Sequence, residues 1–158
     1  MDLCDLADDE LSDGMPTINV LEPGLVVIRA FIDESEQRRL AAAATEWGSM
    51  YAAGSEGLQW HRDIYENDGQ SDRPVVNLSV GASCVFGIRC PSGLERHVLL
   101  RSGDCLLFGG PCRFAEHAVL DVRLDDRPSW MAREEAARRF SFTFRDSPEV
   151  RGREEEFK

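Results

Sequence analysis

The chain has 158 residues, 42% of them hydrophobic, with 29 acidic side chains against 18 Lys and Arg for a formal net charge of −11. That length suits one domain with a real core, and no apolar run approaches the roughly 18 residues that suggest a membrane span. The acidity argues against strong non-specific binding to a polyanion, where affinity rests on many phosphate contacts, although it is unevenly spread. Residues 1–28 hold seven acidic residues and no Lys or Arg, whereas every positive charge in 29–145 is an arginine.

The N-terminus is acidic where a secretory signal would be basic, so an intracellular protein is expected. Five cysteines (Cys4, Cys84, Cys90, Cys105, Cys112) are odd in number and form no Cys-x-x-Cys pair. Reduced, mostly buried thiols follow from that pattern. Residues 1–22 lack periodicity, with Gly14 and Pro16 as breakers, and the expectation is a flexible acidic arm. A single domain over 23–146 and a charged tail over 147–158 complete the division. Gly24 to Arg29 is a short β-branched run, hence a strand. Asp33 or Ser35 caps a helix from Glu36 to about Trp47, and Leu40, Ala43, Ala44 and Trp47 fall on the face expected to pack on a sheet.

Trp60-His61-Arg62-Asp63 comes next. In extended chain, side chains two apart share a face, so His61 and Asp63 project together while Trp60 and Arg62 point the other way. One imidazole and one carboxylate are two-thirds of the two-His, one-carboxylate site that holds non-haem Fe(II) with open positions. Alone, such a triplet is weak, because most are solvated loop residues. Pro74 to Val80 alternates and ends at Gly81, and Ser83 to Arg89 follows at a spacing suited to a hairpin about Gly81-Ala82. Arg96 to Arg101, Cys105 to Phe108 and an extended segment from Cys112 to Val122 continue the pattern. Residues 124–138 are polar, with an Ala/Glu/Arg-rich run suited to a short helix. Many short strands between Gly/Pro turns predict a mainly β fold, a small jelly-roll with one packed N-terminal helix.

Arg139 to Arg145 is the cleanest strand: Phe140, Phe142 and Phe144 face one side, and Arg139, Ser141, Thr143 and Arg145 the other. Its polar face either meets solvent or looks into the barrel mouth, where a guanidinium fork pairs a carboxylate bidentately. A third metal ligand must be His97 or His117, the two remaining histidines. His117 is the better placed, because the three or four strands after Asp63 return the chain to the opposing sheet; His97 is expected at the rim.

Five motifs then stand in order: His-x-Asp at His61 and Asp63; Pro-Val-Val-x-x-Ser-x-Gly from Pro74 to Gly81; Ser-Gly-Asp-x-x-x-Phe-Gly-Gly from Ser102 to Gly110; His117; and Arg-x5-Arg at Arg139 and Arg145. From about Tyr51 to Arg145 this order resembles the AlkB-like Fe(II)/2-oxoglutarate-dependent dioxygenases. The resemblance implies a double-stranded β-helix in which His61, Asp63 and His117 hold Fe(II), with 2-oxoglutarate and O2 as co-substrates. It implies that Arg139 pairs the C5 carboxylate of 2-oxoglutarate, that Arg145 lies near the C1 carboxylate, and that Tyr51 contacts the co-substrate. Ser49 and Ser141 stand where many members carry Asn; Ser141 is expected to line the co-substrate pocket. The implied reaction is oxidative N-demethylation of alkylated DNA or RNA. The alternatives are oxygenation of a protein side chain or small molecule, or a non-catalytic domain of the same fold. Nucleotide-demethylating members carry a long lid between the helix and the His-x-Asp strand, whereas 29 residues separate Phe31 from His61 here. Most of that lid is expected to be missing. Trp60, Tyr65 and Trp130 are the aromatic candidates to contact a base instead.

Overall fold

A computed structural model describes residues 15–46, 57–64, 72–131 and 138–145. In chain order the elements are β1 (Thr17–Glu22), β2 (Leu25–Arg29), α1 (Glu34–Glu46), β3 (Leu58–His61), β4 (Val75–Gly81), β5 (Ser83–Arg89), β6 (Glu95–Leu100), β7 (Cys105–Phe108), a one-turn 3-10 helix (Gly110–Cys112), β8 (Glu116–Arg123) and β9 (Arg139–Phe144). The strands form two antiparallel sheets, ordered β1-β2-β7-β4-β9 and β3-β8-β5-β6. Inward residues of both, among them Leu25, Val27, Leu106 and Phe108 against Phe86, Ile88, Val98 and Leu100, make the main core. A second cluster, Ala41, Ala44, Val80, Met131 and Phe140, seals α1 onto the outer face of β4 and β9.

Three expectations are corrected. Residues 17–22, assigned to the flexible arm, form β1 and pair with β2. The segment does alternate, but its outward residues Ile18 and Val20 are apolar and about two-thirds exposed, so the contrast that marks a half-buried strand is missing. The hairpin about Gly81-Ala82 does not form, because β4 and β5 lie in different sheets. Gly81 has a φ of +95°, and a Cβ there would meet the Arg138 carbonyl oxygen at 2.3 Å. The turn residue therefore carries the chain from one sheet to the other. Finally, the extended segment expected from Cys112 becomes strand only at Glu116, after the 3-10 turn.

Asp33 is the helix cap: its carboxylate accepts the Glu36 amide at 2.9 Å and the Ser35 hydroxyl at 2.8 Å, and these bonds hold it below the usual carboxylate range. The buried face of α1 is Gln37, Ala41 and Ala44, shifted from the apolar face expected, with Leu40 alongside and Trp47 outside the described residues. Gln37 explains the shift. Its amide donates to the Ile32 carbonyl at 3.0 Å and accepts from the Ser102 hydroxyl at 2.6 Å, so a polar residue lines the interface. Of the 124–138 stretch, residues 132–137 lie outside the described residues, and so does the centre of the helix expected there.

The Ser102-Gly103-Asp104 turn is a structural knot. Asp104 accepts from Arg29 Nη1 at 2.6 Å, the Arg101 amide at 2.9 Å and the Ala30 amide at 3.2 Å, and it is buried. Replacing Asp104 with Ala leaves two amides unpaired and the Arg29 guanidinium without its carboxylate, though still bonded to the Leu99 carbonyl at 2.6 Å, and is expected to lower stability by about 3 kcal/mol in urea unfolding followed by circular dichroism. The four described cysteines are all buried and free, and burial pushes each thiol up, Cys90 to about 11. Between pH 9 and 11 the unfolded chain loses thiol protons that the folded one keeps, so the folded state is expected to lose stability as pH rises through that window. Unfolding midpoints at pH 8, 9, 10 and 11 measure it, and an unchanged midpoint would show that Cys90 ionises normally in the fold.

Candidate metal centre and co-substrate pocket

β3 and β8 lie side by side, and His61 sits directly opposite His117 in their register. That register places the two imidazoles 4.3 Å apart between centroids. His61 Nδ1 lies 2.8 Å from the Gln59 carbonyl oxygen and His117 Nδ1 lies 3.1 Å from that of Ala115. A carbonyl only accepts, so each Nδ1 carries the proton and each Nε2 keeps its lone pair. Such bonds fix the tautomer and aim of a metal-ligating imidazole. His117 is buried, with its ring nearly parallel to Phe86 at 5.6 Å and tilted against Phe108 at 4.8 Å. Burial, reinforced by the neighbouring His61, pushes its imidazole below the usual range, and neutral imidazole is the ligating form.

Asp63 follows two residues after His61 and is also buried. Its Oδ1 accepts from Arg145 Nη1 at 2.6 Å, and its Oδ2 stands 3.8 Å from His117 Nε2. The ligand atoms of His61, Asp63 and His117 all lie within 4.8 Å of one another. An ion about 2.1 Å from each donor needs a modest contraction, which side-chain rotation supplies. Two imidazole nitrogens and one carboxylate form the donor set that suits non-haem Fe(II) and leaves coordination positions open. His97 is not in this group. It lies on β6, 2.8 Å from Glu95.

A polar strip continues the site along β4 and β9, where Asn77, Ser79 and Gly81 pair with Thr143, Ser141 and Arg139. Arg139 is buried, donating through Nη2 to the Ser79 hydroxyl at 3.2 Å. Asn77 Nδ2 donates to Ser141 at 2.6 Å and Thr143 at 2.9 Å. Arg139 Nε and Asn77 Oδ1 are buried without a partner. A buried unpaired guanidinium nitrogen costs free energy, and beside three hydroxyls it suits a carboxylate. Thus the polar face of β9 is buried at Arg139, while Ser141, Thr143 and Arg145 further along it stay exposed. Its aromatic face meets α1 at Phe140 and Phe142, while Phe144 stays exposed. Tyr51, Ser49 and Tyr65 lie outside the described residues.

Sequence reading missed Arg113. It is the bulkiest fully buried side chain, 1% exposed. Nε donates to the Arg73 carbonyl at 2.8 Å and Nη1 to the Asp63 carbonyl at 2.9 Å. The guanidinium thus ties Asp63 to the turn that leads into β8 and His117. A lone Arg among Gly, Pro and Phe gives no local sign of this, because both partners are backbone atoms remote in sequence.

With the geometry in hand, comparisons with known proteins give a family. A family model described as the 2OG-Fe(II) oxygenase superfamily matches residues 49–145. The chain belongs to that superfamily. A DNA N(6)-methyladenine demethylase, ALKBH1C of Arabidopsis thaliana, is 36% identical over 98 residues, 60% of this chain and 22% of that protein. ALKBH1D of the same plant, also a DNA N(6)-methyladenine demethylase, is 33% identical over 96 residues. The alpha-ketoglutarate-dependent dioxygenase AlkB of Salmonella typhimurium (strain LT2) is 30% identical over 104 residues, 64% of this chain and 44% of that one. The match therefore spans about a fifth of ALKBH1C and less than half of AlkB. The solved structure of OsALKBH1 superposes with a TM-score of 0.67 at 16% identity, over 82% of this chain and 100% of that one, which shows the double-stranded β-helix. The His-Asp-His group suits the Fe(II) for which the superfamily is named.

Replacing Arg113 with Met leaves the buried Asp63 carbonyl and the part-buried Arg73 carbonyl without this donor and is expected to cost about 3 kcal/mol of stability. Arg113→Lys, which can reach only one of them, falls between. Urea unfolding of the three proteins ranks them, and wild-type stability in Arg113→Met would remove the clamp.

Proposed function

We propose that this chain is an Fe(II)/2-oxoglutarate-dependent dioxygenase that removes N-methyl groups from alkylated nucleic acid. The observation that carries the oxygenase reading is the His61–Asp63–His117 group with both Nδ1 protons committed to backbone carbonyls. His61 and His117 would hold the iron through their Nε2 atoms and Asp63 through one oxygen, while Arg145 pairs the other at 2.6 Å. Arg139, beside Ser79 at the buried end of the strip, would pair the far carboxylate of 2-oxoglutarate. Iron supplies, when bound, the O2-dependent oxidation of a substrate C–H bond, with 2-oxoglutarate converted to succinate and CO2. The hydrophobic wall of Phe86 and Phe108 around His117 keeps water from that side of the centre.

Nucleic acid is supported as substrate by the similarity to the two plant demethylases, at 36% and 33% identity over 98 and 96 residues. Hydroxylating an N-methyl group gives an N-hydroxymethyl that releases formaldehyde, so formaldehyde distinguishes demethylation from simple hydroxylation. Incubating the chain with Fe(II), 2-oxoglutarate and O2 is expected to give succinate, with formaldehyde released from oligonucleotides containing N6-methyladenine. His61→Ala and Asp63→Ala are expected to reduce succinate formation at least 100-fold with the fold retained. Wild-type turnover in either variant removes the residue from the metal site. Formaldehyde from methylated peptide and none from methylated DNA or RNA would move the substrate to protein.

A further inference from the structure

β3 carries one proposed ligand and leads into another, yet it is poorly secured by its own hydrogen bonds. It has four residues, sits at the edge of its sheet, and its pairing with β8 shifts register between Leu58 and His61. A metal site needs its ligands fixed to about half an ångström. Something other than the ladder must hold this strand.

We propose that Trp60 is a positioning residue that fixes His61 and Asp63 from the opposite side of the sheet, with Gly87 as its seat and Arg89 as its cover. The proposal rests on the metal-centre assignment above. Side chains alternate along β3, so Trp60 lies on the outer face while His61 lies on the inner one. β8 stands between β3 and β5, and the Trp60 ring crosses it to reach β5. A Cβ on Gly87 would come 2.9 Å from Trp60 Cη2 and 2.9 Å from Leu120 Cδ1. Gly87 is not among the positive-φ glycines, so its backbone does not demand glycine. A glycine inside a strand weakens it and marks a close approach; here the approach is the indole. Ala118, directly opposite Gly87, is small and 1% exposed although it faces outward, as a residue under the crossing ring must be.

The other face of the indole is also covered. The Arg89 guanidinium carbon lies 4.0 Å from the ring centroid, a cation–π distance. Arg89 is held there by Glu95 at 3.1 Å and Glu116 at 3.0 Å. Glu116 also meets Arg62, the residue between the two ligands, at 3.4 Å. The ring is therefore clasped between β5 and a guanidinium anchored on β6 and β8, which transfers the rigidity of the inner strands to the edge. Trp60 is consequently not the base-stacking side chain that the sequence suggested.

The test titrates Co(II) into the apo chain, reading its visible absorption, for the wild type, Trp60→Ala, Gly87→Ala and the double variant. Apo melting temperature and amide hydrogen exchange at residues 60–63 are followed in parallel. Wild type is expected to bind one Co(II). Trp60→Ala is expected to weaken binding at least about tenfold, the scale for losing a residue that supports a metal ligand, with faster exchange at 60–63. Gly87→Ala, on the outer face of the sheet, is expected to weaken it several-fold, and by clearly less in the Trp60→Ala background, where only Leu120 still meets the new methyl. Should Trp60→Ala fail to fold, Gly87→Ala and Arg89→Gln decide, both expected to weaken Co(II) binding and speed exchange. Affinities within twofold of wild type, or an equal effect of Gly87→Ala with and without the indole, overturn the proposal while leaving the metal centre standing. A wild type that binds no Co(II) overturns both.

Discussion

The pairing of His61 with His117 across β3 and β8 is the constraint from which the site descends. A one-residue slip would turn His61 and Asp63 to the outer face and bring Trp60 and Arg62 inward. Nothing about the triad would survive it. The register is held unevenly, since β8 has a long ladder with β5 on one side and only the short, irregular β3 on the other. Precision is therefore passed outward from β5 to β8 to β3. The buried Arg113 on Asp63's backbone and the indole over Gly87 make up on the two faces what the edge strand lacks in hydrogen bonds.

Charge inside the sandwich follows the same logic. Asp63, Asp104, Arg113 and Arg139 are all buried, and each such group destabilises the fold unless its bonds are met. Asp104 is met by Arg29 and two amides, and Arg113 by two carbonyls, so both serve structure. Asp63 is shared between Arg145 and the neighbourhood of His117, and Arg139 keeps one nitrogen unmatched. Among the described residues the buried side-chain atoms left without a partner, Arg139 Nε and Asn77 Oδ1, both belong to the strip between β4 and β9.

What the sequence discloses is what short-range pattern can carry. Alternation located β4 and β9 and put Arg139, Ser141, Thr143 and Arg145 on one face, while short apolar or β-branched runs between turns located β2, β5, β6 and β7. The His-x-Asp spacing alone placed His61 and Asp63 together, because strand period is a local property. His117 does join His61 and Asp63, but not from the opposing sheet as the strand count suggested: β8 returns beside β3 in the same sheet. Long-range facts were hidden. Whether Gly81 turns the chain back or across depends on the Arg138 carbonyl behind it, and Arg113 acts on backbone atoms 40 and 50 residues away. β1 was missed because its alternation runs against burial, with Ile18 and Val20 exposed and Thr17 and Asn19 on the less exposed face, and the face of α1 was misplaced because Gln37 is buried by hydrogen bonds that hydrophobicity does not register.

The aromatic side chains bear on how chemistry and substrate choice are divided. Trp60 is committed to the outer face of one sheet, and Trp130 packs beside α1 with Arg38 5.2 Å over its ring. Neither faces the metal. The stretch shared with the superfamily, residues 49–145, takes in β3 through β9, which carry the ligands and the carboxylate strip but neither of these rings in a position to stack on a base. The His-Asp-His group therefore carries no aromatic platform from these two rings, and a chain with a net charge of −11 does not favour a phosphate backbone by charge alone. On the proposed nucleic-acid reading, a methylated base is held by residues other than these two tryptophans, because both rings are already committed, Trp60 to Arg89 and Trp130 to Arg38.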